Sequence, residues 1–175
     1  MQKINYSSNA HIKVLYISSN DAVTAFIWSR IATFRSSFLP TDTKTSLLRA
    51  INMRKRVQPP IPSGYMGHTI YITFATLPLA SVANDPLSVS AIALRRSLAD
   101  ANDHQFRSFF HLLRNEKDKT MISYGAKMNP ETDIMITSFV AQKLYETDFG
   151  ERLGLPAFVR RPMLPDSPGV SCKPR

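Results

Sequence analysis

Two kinds of hydrophobic spacing alternate along this chain. Val14-Leu15-Tyr16-Ile17 is a short continuous apolar run and reads as a strand. Ser18-Ser19-Asn20-Asp21 then opens a helix, with Ser18 or Ser19 as N-cap and Asp21 in the first turn. Ala22, Ala25, Phe26, Ser29 and Ala32 recur at helical spacing, which predicts a helix over 21–34 with these residues inward. Leu48 to Asn52 reads as a strand that runs into the basic stretch Arg54-Lys55-Arg56. Thr69 to Ala75 is β-branched and aromatic and predicts a buried strand. Asp85-Pro86 predicts another helix start, Asp85 as N-cap and Pro86 at the first helical position. Leu87, Ala91, Leu94 and Leu98 form its inward stripe. A further helix is expected over 104–114, burying Phe106, Phe109, Phe110 and Leu113. Ile134 to Val140 and a short piece around Val159 complete the strands.

This order predicts an α/β fold, a mixed sheet covered by helices. Pro59-Pro60-Ile61-Pro62-Ser63-Gly64 is a rigid internal loop, since proline fixes φ and donates nothing to a ladder. The segment from Pro162 onward has no apolar periodicity, so one domain is expected over 12–165 and a flexible tail over 166–175. With 175 residues and 43% hydrophobic residues, the chain can bury about two-thirds of its unfolded surface. Trp28 and the aromatic set Phe106, Phe109 and Phe110 are the natural core candidates.

Charge and cysteine content narrow the chemistry. The lone Cys172 makes no internal disulfide and excludes zinc sites built on several thiolates. No apolar run approaches the ~18 residues of a membrane helix, and the first residues lack a signal peptide's apolar stretch. A soluble, cytoplasmic protein is expected. The net charge of +9 suits an anionic partner, either nucleic acid or a phosphate-bearing cofactor, and equally suits simple solubility. No phosphate-binding glycine loop, dinucleotide fingerprint or Gly-x-Ser-x-Gly elbow is present. Asp148-Phe149-Gly150 stands without the other kinase motifs. None of His11, His68, His104 and His111 is followed four residues later by Asp; the nearest case is His111 with Asn115. No metal-ligand spacing emerges.

Several segments taken in order resemble the BAHD superfamily of CoA-dependent acyltransferases. Ser18-Ser19-Asn20-Asp21-Ala22-Val23-Thr24-Ala25-Phe26-Ile27-Trp28 resembles that family's Ser-Thr-Asn-Asp-Ala-Leu-Thr-Ala-Phe-Ile-Trp helix. Asn52-Met53-Arg54-Lys55-Arg56, then Pro59-Pro60-Ile61-Pro62 and Tyr65-Met66-Gly67, resemble its Arg-x-Arg, Pro-Pro-Leu-Pro and Tyr-x-Gly-Asn run. Thr137-Ser138-Phe139 and Asp148-Phe149-Gly150 resemble its Ser-Trp strand and Asp-Phe-Gly-Trp-Gly signature. Leu153-Gly154-Leu155-Pro156 and Val159-Arg160-Arg161-Pro162 resemble its fungal, trichothecene 3-O-acetyltransferase-like branch. There are departures: His68 stands for the usual Asn, Phe139 for Trp, and Glu151-Arg152 for Trp-Gly.

The resemblance implies a chloramphenicol-acetyltransferase-like half domain, the C-terminal half of an enzyme whose catalytic His-x-x-x-Asp lies in an N-terminal half not contained here. It implies acyl-CoA as co-substrate, no metal, and a small-molecule acceptor from fungal secondary metabolism. It assigns no catalytic residue to this chain. Ser18, Ser19, Gly67, His68, Thr137 and Ser138 are the implied cofactor contacts. Arg54, Asp148, Phe149 and Gly150 form a structural motif, with Arg54 expected to pair with Asp148. Arg49, Arg54, Lys55 and Arg56 are candidates for phosphate contact. The alternative is a non-catalytic basic binding module or pseudo-enzyme remnant, alone or with a separate N-terminal half. Nucleic acid and membranes are not expected partners.

Overall fold

The computed structural model describes residues 16–122, 128–139 and 142–159. Its elements are α1 (Ser19–Arg35), β1 (Lys44–Asn52), β2 (Ile70–Pro78), α2 (Leu79–Asn84), α3 (Leu87–Asp100), α4 (Asp103–Asn115) and β3 (Ile134–Ile136). Single 3-10 turns lie at Lys119–Met121 and Leu144–Glu146. The three strands form one mixed sheet in the order β2-β1-β3. β2 pairs antiparallel with β1, from Lys44 opposite Pro78 to Asn52 opposite Ile70. β3 runs parallel to β1, Leu47 opposite Ile134 and Arg49 opposite Ile136.

The Thr45, Leu47 and Arg49 side of β1 faces the helices. Ala25, Trp28 and Ala32 of α1 close over Leu47, Ala75 and Ile134, and Leu79, Val82, Ala91 and Leu94 complete this core. The indole Nε1 of Trp28, a fully buried side chain, donates to Thr45 Oγ1 at 3.1 Å. That hydroxyl donates in turn to the Thr132 carbonyl at 2.5 Å. One relay therefore joins α1, β1 and the turn leading into β3, and it satisfies two polar groups that burial would otherwise penalise. A smaller cluster of Met53, Val57 and Phe106, with Tyr71 alongside, seats α4 beyond the end of β1.

Several expectations need correction. Of the first strand, Val14 and Leu15 lie outside the described residues, and Tyr16 and Ile17 are not in a strand. Tyr16 instead lies over the Arg95 guanidinium, 4.4 Å from ring centroid to Cζ. Phe26 is exposed; the buried face of α1 is Asp21, Thr24, Ala25, Trp28, Ser29 and Ala32. β1 begins four residues before its expected start at Leu48, because its hydroxyl side chains are satisfied through the fold. Asp85 does not cap α3: its N–H donates to Ser81 O at 3.0 Å and closes α2, and Pro86 precedes α3 without a side-chain cap. Leu87 is exposed and Leu98 half-buried. In α4 only Phe106 is buried; Phe109 and Phe110 lie at the surface edge, stacked edge-on with Tyr71 and Phe106 respectively. The strand at 134–140 shortens to β3, with Val140 outside the described residues, and Val159 is not in a strand.

Candidate functional site

The register brings three of the expected segments to one end of the sheet. β1 ends at Asn52 and β2 begins opposite it at Ile70, so Gly67 and His68 sit at that end. β3 leaves the sheet at Ile136, opposite Arg49, and Thr137 and Ser138 continue toward the same end as exposed residues. α1 runs antiparallel to β1: Trp28 lies at Thr45, and Asp21 lies at Arg49. Ser18 and Ser19 therefore open α1 at this end too. It is the carboxyl end of the two parallel strands, the side on which open α/β sheets usually take ligands. A helix N-terminus there favours anions.

What positions α1 is a buried ionic cluster. Ser18 caps the helix: its Oγ accepts from Asp21 N–H at 3.3 Å, and Asp21 Oδ2 accepts from Ser18 N–H at 3.0 Å. The Ser18 hydroxyl donates to Oδ2 as well, at 2.7 Å, so it is committed to the cap. Arg49 donates to Asp21 Oδ1 at 2.7 Å, and Arg95 reaches Oδ2. Arg49 also donates to the Leu94 carbonyl. Asp21 is fully buried and Arg49 nearly so, at 4% exposure. Burial pushes the Asp21 carboxyl up, but the hydrogen bonds from Arg49 and Ser18 outweigh it and hold it below the ordinary carboxylate range. Sequence reading missed this cluster. The Ser18–Asp21 spacing revealed the cap, but nothing local marks Arg49 and Arg95 as its partners.

Arg49 is accordingly buried in an ion pair rather than presented to a phosphate. Arg56 donates to the Leu98 and Ala101 carbonyls at 3.0 and 3.3 Å and closes the end of α3. Arg54 does not pair with Asp148. Its guanidinium donates to the Tyr65 and Gly67 carbonyls at 3.0 and 3.3 Å, clamping the loop that carries His68. Asp148 accepts from Gly150 N–H at 2.9 Å within a local turn, where Gly150 has φ of 89° and Phe149 is exposed. These two carbonyls take up the Arg54 guanidinium, and no ion pair to it is present among the described residues. Lys55 remains exposed, with no hydrogen bond or ion pair among the described residues. Gly67 lies beneath the Tyr65 ring, where a Cβ would collide with it. His111 and Asn115 touch at 2.8 Å on the exposed face of α4, and among the described residues no other candidate site residue is bonded to either.

A cavity of about 510 Å³ opens between the proline-rich loop and α4, with His68 in its wall. Among the described residues no cluster of three or more His, Cys, Asp or Glu could hold a metal, and no helix is long and apolar enough to cross a membrane.

A model described as the Transferase family matches residues 1–166 of this sequence. The chain belongs to the BAHD transferase family. It is 38% identical over 150 residues to the O-acyltransferase pigD of Monascus ruber, covering 85% of this chain and 32% of that protein. It is 33% identical to the trichothecene 3-O-acetyltransferase TRI101 of Fusarium sporotrichioides, over 84% of this chain and 32% of that one. The structure of that Fusarium sporotrichioides protein, complexed with coenzyme A and T-2, superposes with a TM-score of 0.78 at 31% identity, covering 89% of this chain and 36% of that chain. The α/β fold is therefore that of these BAHD transferases. The chain spans about a third of the length of the curated relatives it matches.

Proposed function

We propose that this chain is the CoA-facing part of an O-acyltransferase that moves an acyl group, acetyl by preference, from acyl-CoA to a hydroxyl or amine of a small natural product. The observation that carries this reading is the gathering of Ser19, Gly67–His68 and Thr137–Ser138 at one end of the sheet. Similarity to proteins named O-acyltransferase and O-acetyltransferase supports it. The amides at the start of α1 and the ammonium of Lys55 supply the positive field for CoA's phosphates. Exposed Thr137 and Ser138, with the loop clamped by Arg54, border the thioester. In the transfer the acceptor oxygen or nitrogen attacks the thioester carbonyl, its proton passes to a base, and the C–S bond breaks to release the CoA thiol. The sequence holds no His-x-x-x-Asp. That base, by the family resemblance, comes from an N-terminal half of the same longer protein or of a separate chain, and the residues here orient the acyl donor.

Calorimetric titration of the purified chain with coenzyme A is expected to show binding. Lys55→Glu is expected to weaken it severalfold at low salt and less at high salt. With acetyl-CoA and a phenolic acceptor the chain alone is expected to give no turnover. A flat titration would remove the acyl-donor role; robust transfer would show that the base resides in these residues.

A further inference from the structure

We propose that the cavity between the proline-rich loop and α4 binds an uncharged, planar, polycyclic natural product and holds one of its oxygen atoms on Thr69. The volume of about 510 Å³ lies within the range of small-molecule sites. Pro60 and Ile61 form one wall, and Phe106 and Phe110 the other. Flat apolar surfaces of this kind favour a fused-ring body over a flexible or charged one. Thr69 belongs to the lining and is 2% exposed. Its hydroxyl has no hydrogen-bond partner among the described residues. A buried hydroxyl is costly to leave unpaired, so it is a ready partner for an oxygen that arrives with a ligand. His68, also in the lining, offers a second polar contact.

The charges around the cavity are already neutralised. Arg107 lines it, but its Nε donates to both carboxylate oxygens of Asp103 at 2.9 and 2.8 Å, and Nη2 reaches the Gln58 carbonyl. No carboxylate lines the cavity itself. A neutral hydroxy- or keto-bearing ring system fits this balance better than a carboxylate or an amine. His68 also belongs to the sheet end where the acyl donor is placed. If that placement holds, the bound molecule is the acyl acceptor; only this role, and not the binding, rests on the transferase reading.

The test uses the full 175-residue chain with 1-hydroxyanthraquinone as probe, in equilibrium dialysis with and without coenzyme A. Saturable one-to-one binding is expected, undisturbed by coenzyme A. Thr69→Val should weaken it about five- to tenfold, the loss of one hydrogen bond, without lowering the thermal midpoint. Ile61→Trp, which fills the cavity, should abolish it. Unsaturable binding, displacement by coenzyme A, or an affinity unchanged in Thr69→Val would overturn the proposal. Circular dichroism checks folding, and if Ile61→Trp does not fold, Thr69→Val decides the matter. Probe binding without coenzyme A binding would sink the acyl-donor reading and leave the cavity's role standing. Coenzyme A binding without probe binding would do the reverse.

Discussion

Asp21→Asn should destabilise the protein by about 3–5 kcal/mol, because it strips two arginines held in or near the core of the one carboxylate that pairs with them among the described residues. The amide keeps the shape and part of the cap, so packing loss contributes little. What remains is the cost of leaving Arg49 buried without a counter-charge. Urea denaturation would show a lower midpoint at unchanged slope. A double variant, Asp21→Asn with Arg49→Met, should recover part of the loss, since it removes the stranded charge along with its partner. Simple additivity of the two single losses would argue against a coupled pair. The same cluster sets an acid limit. Asp21 titrates lower in the folded protein than in the unfolded chain. Its contribution is present above the ordinary carboxylate value, near pH 4, and is lost as pH falls through the lower folded value. Wild type should lose stability over that acid range, and Asp21→Asn should lose less there.

Trp28→Ala should cost about 3–5 kcal/mol, by the cavity it leaves and by the hydrogen bond it breaks. Its side chain has no exposed surface, and its Nε1–H is the donor that meets Thr45. Trp28→Phe separates these terms. It keeps most of the volume, loses the bond, and leaves Thr45 with its donation to Thr132. A cost for Phe well below that for Ala, read from thermal midpoints, would assign the larger share to packing. Equal costs would assign it to the relay.

Legibility of this fold in its sequence follows the range of the forces involved. The start of α1 is set by a serine and an aspartate three residues apart, and both are visible locally. β2 is β-branched and aromatic, and the sequence pattern finds it. The apolar pattern starts the strand only at Leu48, whereas β1 begins at Lys44, with Thr45 1% exposed and bonded to residues distant in sequence. Phe26 fits the inward stripe read from the sequence, yet the buried face of α1 carries Trp28, whose indole bonds Thr45 across the interface, and Phe26 is left exposed. The segments of the candidate site were identified by resemblance, and their common end of the sheet became clear only from strand register. Charge alone misled at Arg49, Arg54 and Arg56, since a surplus of arginines does not say which of them are consumed by carbonyls and a carboxylate within the fold.

The indole of Trp28 is also the chain's single natural fluorophore of its kind. It sits in the seam between α1 and β1, remote from the strand ends where ligands are expected. Its emission therefore reports the integrity of that seam and stays silent when a small molecule docks. Any ligand that did shift the colour of its emission would have to loosen the interior as well as fill a recess.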